Sequence, residues 1–133
     1  MKQKITTFLM FDGKAEEAMR FYTSLFPDSE IKSLARYAEN EPGPVGTVRQ
    51  ALFSLQGQLF MCIDSVVKHQ FAFTPALSLH VTCDTESEIN MLFARLSEGG
   101  QILMPLDAYP FSTRYAWLND KYGVSWQLTL TDA

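Results

Sequence analysis

The chain has 133 residues, 47% hydrophobic, 20% charged and 13% aromatic, which is one domain's worth with ample large side chains for a core. A chain of this size buries about two-thirds of its unfolded surface and needs no disulfide or metal to fold. Fifteen acids against eleven bases give a formal net charge of −4, which argues against a nucleic-acid duplex or an anionic membrane as partner, since both call for a basic face.

In chain order, the first pattern is strand, acid, helix. Ile5–Phe11 is rich in β-branched and aromatic residues and stops at Asp12-Gly13. Ala15, Ala18, Met19, Tyr22, Leu25 and Phe26 follow with the spacing of one helix face, and Pro27-Asp28-Ser29 ends it. Three strand-like runs come next: Ile31–Tyr37, Thr47–Leu55 and Gln58–Ile63. The loop Glu39–Gly46 separates the first two, and Gln56-Gly57 marks a hairpin between the last two. Ser65–Pro75 reads as a linker.

The same device then returns about 71 residues on. Ala76–Cys83 is a strand followed by Asp84. Thr85 and Glu88 have capping-box spacing, Ile89, Leu92, Phe93 and Leu96 form a buried stripe, and Gly99-Gly100 ends the helix. Three more strand-like runs complete the second half: Gln101–Leu106, Ser112–Leu118 and Val124–Leu130. The turn Asn119–Gly123 joins the last two. A duplicated β-α-β-β-β unit accounts for all of this. A single unit leaves one sheet face uncovered, so two would pair, or one would pair with a second chain.

No apolar run approaches the ~18 residues of a spanning helix. Met1-Lys2-Gln3-Lys4-Ile5 is too short and polar for a signal peptide. Cys62 and Cys83, far apart inside apolar segments, read as buried reduced thiols of a cytoplasmic protein.

The residues also resemble a known family. Phe8-Leu-Met-Phe-Asp-Gly-Lys-Ala-Glu-Glu-Ala-Met-Arg-Phe-Tyr, then Leu25-Phe-Pro-Asp-Ser, is similar to the opening of the PhnB-like branch of the glyoxalase/bleomycin-resistance/dioxygenase superfamily. Cys83-Asp-Thr-Glu-Ser-Glu, Leu96-Ser-Glu-Gly-Gly and Trp117-Leu-Asn-Asp-Lys-Tyr-Gly-Val-Ser-Trp-Gln resemble its second half. The likeness spans nearly the whole chain. It implies the α+β vicinal-oxygen-chelate fold: paired β-α-β-β-β modules, here about 4–64 and about 76–131 joined by linker 65–75, with sheets curled around a shared cavity. The whole chain, 1–133, would be one such domain, usually in a homodimer. Members of this branch are often named 3-demethylubiquinone-9 3-methyltransferase-like. Nothing here resembles the Gly-rich strand-to-helix loop that binds the methyl donor in common methyltransferases, because Gly99-Gly100 ends a helix rather than beginning one.

The superfamily's enzymes hold a divalent metal with His and Glu side chains on the first and last strands of each module. Counting back from Phe21-Tyr22 puts the first such position at Thr7, and counting back from Asp84 puts its counterpart at Ser78. The fourth residues after Gly57 and Gly123 are Met61 and Gln127. Thr, Met, Ser and Gln are poor ligands, so the expectation is no metal and no cofactor. Strand alternation then predicts a cavity lined by Thr7, Leu9 and Phe11, by Leu59, Met61 and Ile63, by Ser78, His80 and Thr82, and by Ser125, Gln127 and Thr129. One wall would be apolar and the other polar. That suits a small amphipathic ligand, and equally a barrel interior with buried water.

His80 is the one candidate catalytic residue, as general base or ligand partner, with Gln127 and Ser78 orienting. The alternative is a core histidine satisfied by its neighbours. His69 reads as solvated. Arg49 and Arg114, in matching strands, could grip an anion or simply face solvent. Trp126 should face the helices. Phe71, Phe73, Tyr109 and Phe111 could roof the cavity or lie in a dimer interface. The functional expectation is a metal-free, cytoplasmic small-molecule binding protein, with an enzyme of unassigned reaction as the alternative: a lyase, isomerase or dioxygenase, or the methyltransferase of the family name.

Overall fold

The computed structural model describes residues 3–131. The chain divides between His69 and Gln70 into two compact units. The first holds β1 (Thr7–Phe11), α1 (Ala15–Leu25), β2 (Glu30–Arg36), β3 (Val48–Leu55) and β4 (Gln58–Asp64). Its sheet runs β1-β4-β3-β2, with β1 parallel to β4 and the other pairs antiparallel. The second holds β5 (Ser78–Cys83), α2 (Glu86–Ser97), β6 (Gln101–Tyr109), β7 (Ser112–Asn119) and β8 (Ser125–Leu130), in the matching order β5-β8-β7-β6. In both, the helix carries the chain from the first strand to the far edge. The following meander then brings the last strand back beside the first.

Each helix buries one stripe on its own sheet. Ala15, Ala18, Met19, Tyr22 and Leu25 of α1 are buried, against the sheet face that carries Ala51, Phe53, Phe60 and Cys62. The Tyr22 and Phe53 rings lie 6.5 Å apart there. Ile89, Leu92 and Leu96 of α2 are buried, and the matching sheet face offers Ala116, Leu118, Trp126 and Leu128, none more than 1% exposed. Gln56 and Gly57 both take positive φ, 52° and 81°. That is the two-residue turn whose twist matches a right-handed hairpin.

The helix starts are built differently. At α2, Thr85 Oγ1 accepts from the Glu88 backbone N–H at 3.1 Å, and Glu88 Oε1 accepts from the Asp84 N–H at 2.8 Å. The box thus closes one residue earlier than its usual form, on Asp84 rather than Thr85. At α1 the residue in the capping position is Lys14, and no side chain there caps the helix. Asp64, at the end of β4, takes over. Its Oδ1 accepts from Ala15 N–H and its Oδ2 from Val48 N–H, both at 2.9 Å.

Three boundaries move by two residues or more from the sequence expectation, and others by one. β1 begins at Thr7 rather than Ile5, and β5 at Ser78 rather than Ala76. β6 runs on to Tyr109, three residues beyond Leu106. Pro105 does not stop it because β6 is the sheet edge, where a missing N–H breaks no ladder. Register shifts between Ile102, Met104, Asp107 and Tyr109 absorb the irregularity.

Candidate ligand face on the second sheet

Residues paired across neighbouring strands share a face, so the register defines three rows on the side of the second sheet away from α2. One is Ser78, Ser125, Asn119, Gln101. The next is His80, Gln127, Trp117, Met104. The third is Thr82, Thr129, Tyr115, Asp107. Arg114, of opposite parity to Tyr115, confirms which side is which: its guanidinium donates to Asn90 Oδ1 on α2 at 2.9 and 3.2 Å.

Hydrogen bonds lock these rows together. Ser78 Oγ and Ser125 Oγ lie 2.9 Å apart, and Trp117 Nε1 donates to Ser125 Oγ at 2.8 Å. Ser112 Oγ and Thr129 Oγ1 are also 2.9 Å apart. Tyr115 Oη donates to Gln127 Oε1 at 2.6 Å. Burial, with the neighbouring Tyr109 adding to it, pushes the Tyr115 phenol up, so it stays protonated and donates at neutral pH. With its oxygen held by Tyr115, Gln127 keeps both amide hydrogens for another partner. His80, its neighbour on β5, is exposed, and its side chain makes no hydrogen bond with a described residue. That exposure departs from the alternative of a core histidine satisfied by its neighbours.

Of the sequence-predicted lining residues, Ser78, His80, Thr82, Ser125, Gln127 and Thr129 lie on this one face. Ser125 is 1% exposed and serves as a strut between Ser78 and Trp117. Met61 lies on the open face of the first sheet with Leu59 and Ile63. Thr7, Leu9 and Phe11 do not join them. Thr7 pairs with Phe60, Leu9 with Cys62 and Phe11 with Asp64, all on the α1 side, and Leu9 is 2% exposed. The residue on the Met61 row is Phe8, followed by Met10 beside Ile63. The cause is the turn. Three residues separate β1 from α1, but only two separate β5 from α2. Counting back from the helix therefore lands one residue out of phase, and a one-residue slip flips every side chain. The repeat is 71 residues between helices and 72 between first strands.

The equivalent positions are thus Phe8 and Met61 in one unit, His80 and Gln127 in the other. A divalent cation held for Lewis-acid chemistry asks for three or four imidazole, carboxylate or thiolate ligands. A phenyl, a thioether, an amide and one imidazole do not fit it. Among the described residues no three His, Cys, Asp or Glu side chains cluster. Burial, with Asp64 adding to it, pushes the Cys62 thiol up to about 12. Burial again, with Glu88 and Asp84 nearby, does the same for Cys83, which removes both as nucleophiles at neutral pH.

Elsewhere, Arg49 is exposed and lies 3.6 Å from the Glu41 carboxylate. His69, Phe71 and Phe111 are exposed, and Phe73 is half-buried. Trp126 faces α2 and donates to Asp120 Oδ2 at 2.9 Å. Tyr115 and Trp117 were not among the sequence-predicted lining residues. Their alternation along β7, carried across to Gln127, was the signal that they belong to the face.

The family model described as 3-demethylubiquinone-9 3-methyltransferase matches residues 3–129. A PhnB protein from Bacillus cereus that bears the same methyltransferase name is 68% identical, with 97% of this chain and 100% of that one covered and a TM-score of 0.96. A glyoxylase/bleomycin resistance protein/dioxygenase domain from Frankia sp. EAN1pec is 15% identical, over 98% and 92% of the two chains, with a TM-score of 0.67. The fosfomycin resistance protein FosX from Mesorhizobium loti is 13% identical, over 98% and 94%, with a TM-score of 0.61. The last two show the fold alone. A comparison with curated proteins returns no match. With both sheets in matching β-α-β-β-β order and the family matched almost end to end, the chain belongs to the PhnB-like, 3-demethylubiquinone-9 3-methyltransferase family and has the glyoxalase/bleomycin-resistance fold.

Proposed function

We propose that this chain is a metal-free small-molecule binding protein whose ligand rests on the open face of the second sheet, between His80 and Gln127. The observation that carries the reading is the Tyr115–Gln127 hydrogen bond. It fixes one end of the amide and leaves its donors beside an exposed imidazole, a preorganised pair for a carbonyl or other acceptor oxygen. Trp117 and Tyr115 flank that pair with flat apolar surface. The test is a melting-temperature screen of small carbonyl and carboxylate compounds. Ligands that stabilise the wild type should lose most of that shift in Gln127→Ala and His80→Ala. A ligand at a hundred times its Kd stabilises by about 2.7 kcal/mol, so the effect is readable. Hits indifferent to both substitutions would sink the site. Near-stoichiometric retained metal whose removal lowers the melting temperature would sink the metal-free part.

A second reading is favoured by the exposure of His80: an enzyme in which its imidazole is the acid or base and Gln127 orients the substrate. His80→Ala would then remove turnover while leaving substrate affinity within a few-fold. The methyltransferase name gains no support from the chain's glycines. The turn entering α1 has one glycine, and Gly99-Gly100 leaves α2. The proposal extends to a single two-module domain in a cytoplasmic homodimer, which sedimentation and cell fractionation would test. No helix among the described residues is long and apolar enough to cross a membrane.

A further inference from the structure

Beside the His80–Gln127 pair stands an aromatic ring whose orientation is fixed in advance. Trp117 of β7 pairs with Gln127 on one side and with Met104 on the other, so all three share the face away from α2. An indole at a partly exposed position can give its N–H to water. Trp117, half-buried, gives it to Ser125 Oγ at 2.8 Å, and Ser125, 1% exposed, is held in turn by Ser78 Oγ at 2.9 Å. With its one polar atom engaged, what the indole leaves exposed is carbon. Its plane is set before any ligand arrives, so stacking on it costs little side-chain entropy.

Gln127, one strand over, has its oxygen occupied by Tyr115 and its amide hydrogens available. Neighbouring strands stand about 4.8 Å apart, which suits the span from a carbonyl oxygen across a ring conjugated to it. A flat molecule of that kind can accept from Gln127 and lie on the indole at once. A saturated carbonyl compound meets the same donors, but its puckered carbons cover the flat ring less completely and have no π-system to stack. Met104, on the far side of Trp117, adds a soft apolar edge.

We infer that Trp117 is the specificity-determining residue of this face and that its ligands are aryl carbonyl compounds, carbonyl oxygen on the Gln127 amide and ring stacked on the indole. The inference rests on the His80–Gln127 site proposed above and narrows its ligand from any acceptor oxygen to one conjugated to a planar ring. Ser125 is a positioning residue, acting through the indole it holds.

The test compares acetophenone with cyclohexyl methyl ketone, titrated into the full chain and followed by NMR on the indole N–H of Trp117 and the backbone amides of β8. The saturated ketone is the more apolar of the two, so burial alone would favour it. The expected result is a saturable shift of the Trp117 resonance and at least fivefold tighter binding of acetophenone. Trp117→Leu should abolish that preference, and Trp117→Phe, a milder change should the first unfold the chain, should reduce it about twofold. Ser125→Ala should lower acetophenone affinity several-fold and leave that of the saturated ketone unchanged, a split that a general loss of structure would not produce. Equal binding of the two ketones, no saturable shift with acetophenone, or a preference undiminished in the Trp117 variants overturns the inference. If both ketones bind alike and both are lost in Gln127→Ala, the inference fails and the site stands; if both bind regardless of Gln127→Ala and His80→Ala, the site itself fails.

Discussion

The two units have the same strand order and contrasting chemistry on their open faces. On the open face of the first sheet, Met61 pairs with Phe8 on one side and with Leu52 on the other, and Met10 pairs with Ile63. Across this face the Gln50 amide meets Met61 Sδ at 3.7 Å. On the second sheet the corresponding rows are His80, Gln127 and Trp117, flanked by Ser78, Ser125, Thr82 and Thr129, tied together by hydroxyl, indole and amide hydrogen bonds. The backbone therefore dictates where a ligand-facing side chain can stand and leaves its chemistry open. Around Phe8 and Met61 one face offers mainly dispersion and burial, with Ser33, Gln50 and Ser54 farther along it. The other can orient a ligand, at the cost of keeping several polar groups satisfied by one another.

The helix starts make the same contrast. The N-terminus of α2 is satisfied locally by Thr85 and Glu88. That of α1 is satisfied by Asp64, 49 residues away and 2% exposed. The largest expected effect follows from this difference. Asp64→Ala leaves two buried N–H groups, on Ala15 and Val48, with no acceptor, and should destabilise the first unit by about 3 kcal/mol. Thr85→Ala, which removes one exposed cap, should cost the second unit about 1 kcal/mol. The two buried thiols report the units separately. Cys62 labelling by a thiol reagent should accelerate more than a hundredfold in Asp64→Ala, and Cys83 labelling about fivefold in Thr85→Ala. Equal acceleration of both thiols in either variant would show that the units open together, and the contrast would then be one of location only.

Between those two in size stands Gly100→Ala. A methyl group there would lie 2.1 Å from the Asn119 carbonyl oxygen, so β6 or the turn after β7 must shift. We expect a loss of about 2 kcal/mol in denaturant unfolding, against about 1 kcal/mol for Gly57→Ala, which meets only the strain of its positive φ. Equal losses would mean that the close approach relaxes freely.

The smallest effect concerns pH. A hydrogen bond from Arg36, partly opposed by burial and helped by Arg20, holds the Glu16 carboxyl below the usual carboxylate range. A lowered folded pKa stabilises above the unfolded value and loses that stabilisation as pH falls through the lowered one. Glu16→Gln should therefore narrow the gap in stability between pH 7 and the acid side of 4.5, the ordinary glutamate value. A variant whose acid limb superimposes on that of the wild type would show that the Arg36 contact contributes nothing in solution.

The open face of the second sheet was readable in advance because Asp84 and Gly123 are local landmarks. Counting from them crosses no irregularity, so Ser78, His80, Ser125 and Gln127 fall on one side. Thr7 and Leu9 went astray because the count from α1 crossed a turn one residue longer than its counterpart, and chain spacing holds no record of that length. Phe8 and Met10 are visible as the open-face residues of β1 only once β1 is paired with β4.

By itself the sequence determined the elements, their order, the duplication and the family. These rest on short-range periodicity, turn residues and caps, in which each residue answers to neighbours a few positions away. Tertiary structure alone decided the register between strands distant in sequence, and hence which side chains look away from the helices. It also decided that Asp64 caps α1, that Tyr115 aims the Gln127 amide, and that Asp107 pairs with Tyr115. Those are contacts between residues 8 to 49 positions apart. No local preference specifies them, because each is chosen by the burial and hydrogen bonding of the whole sheet.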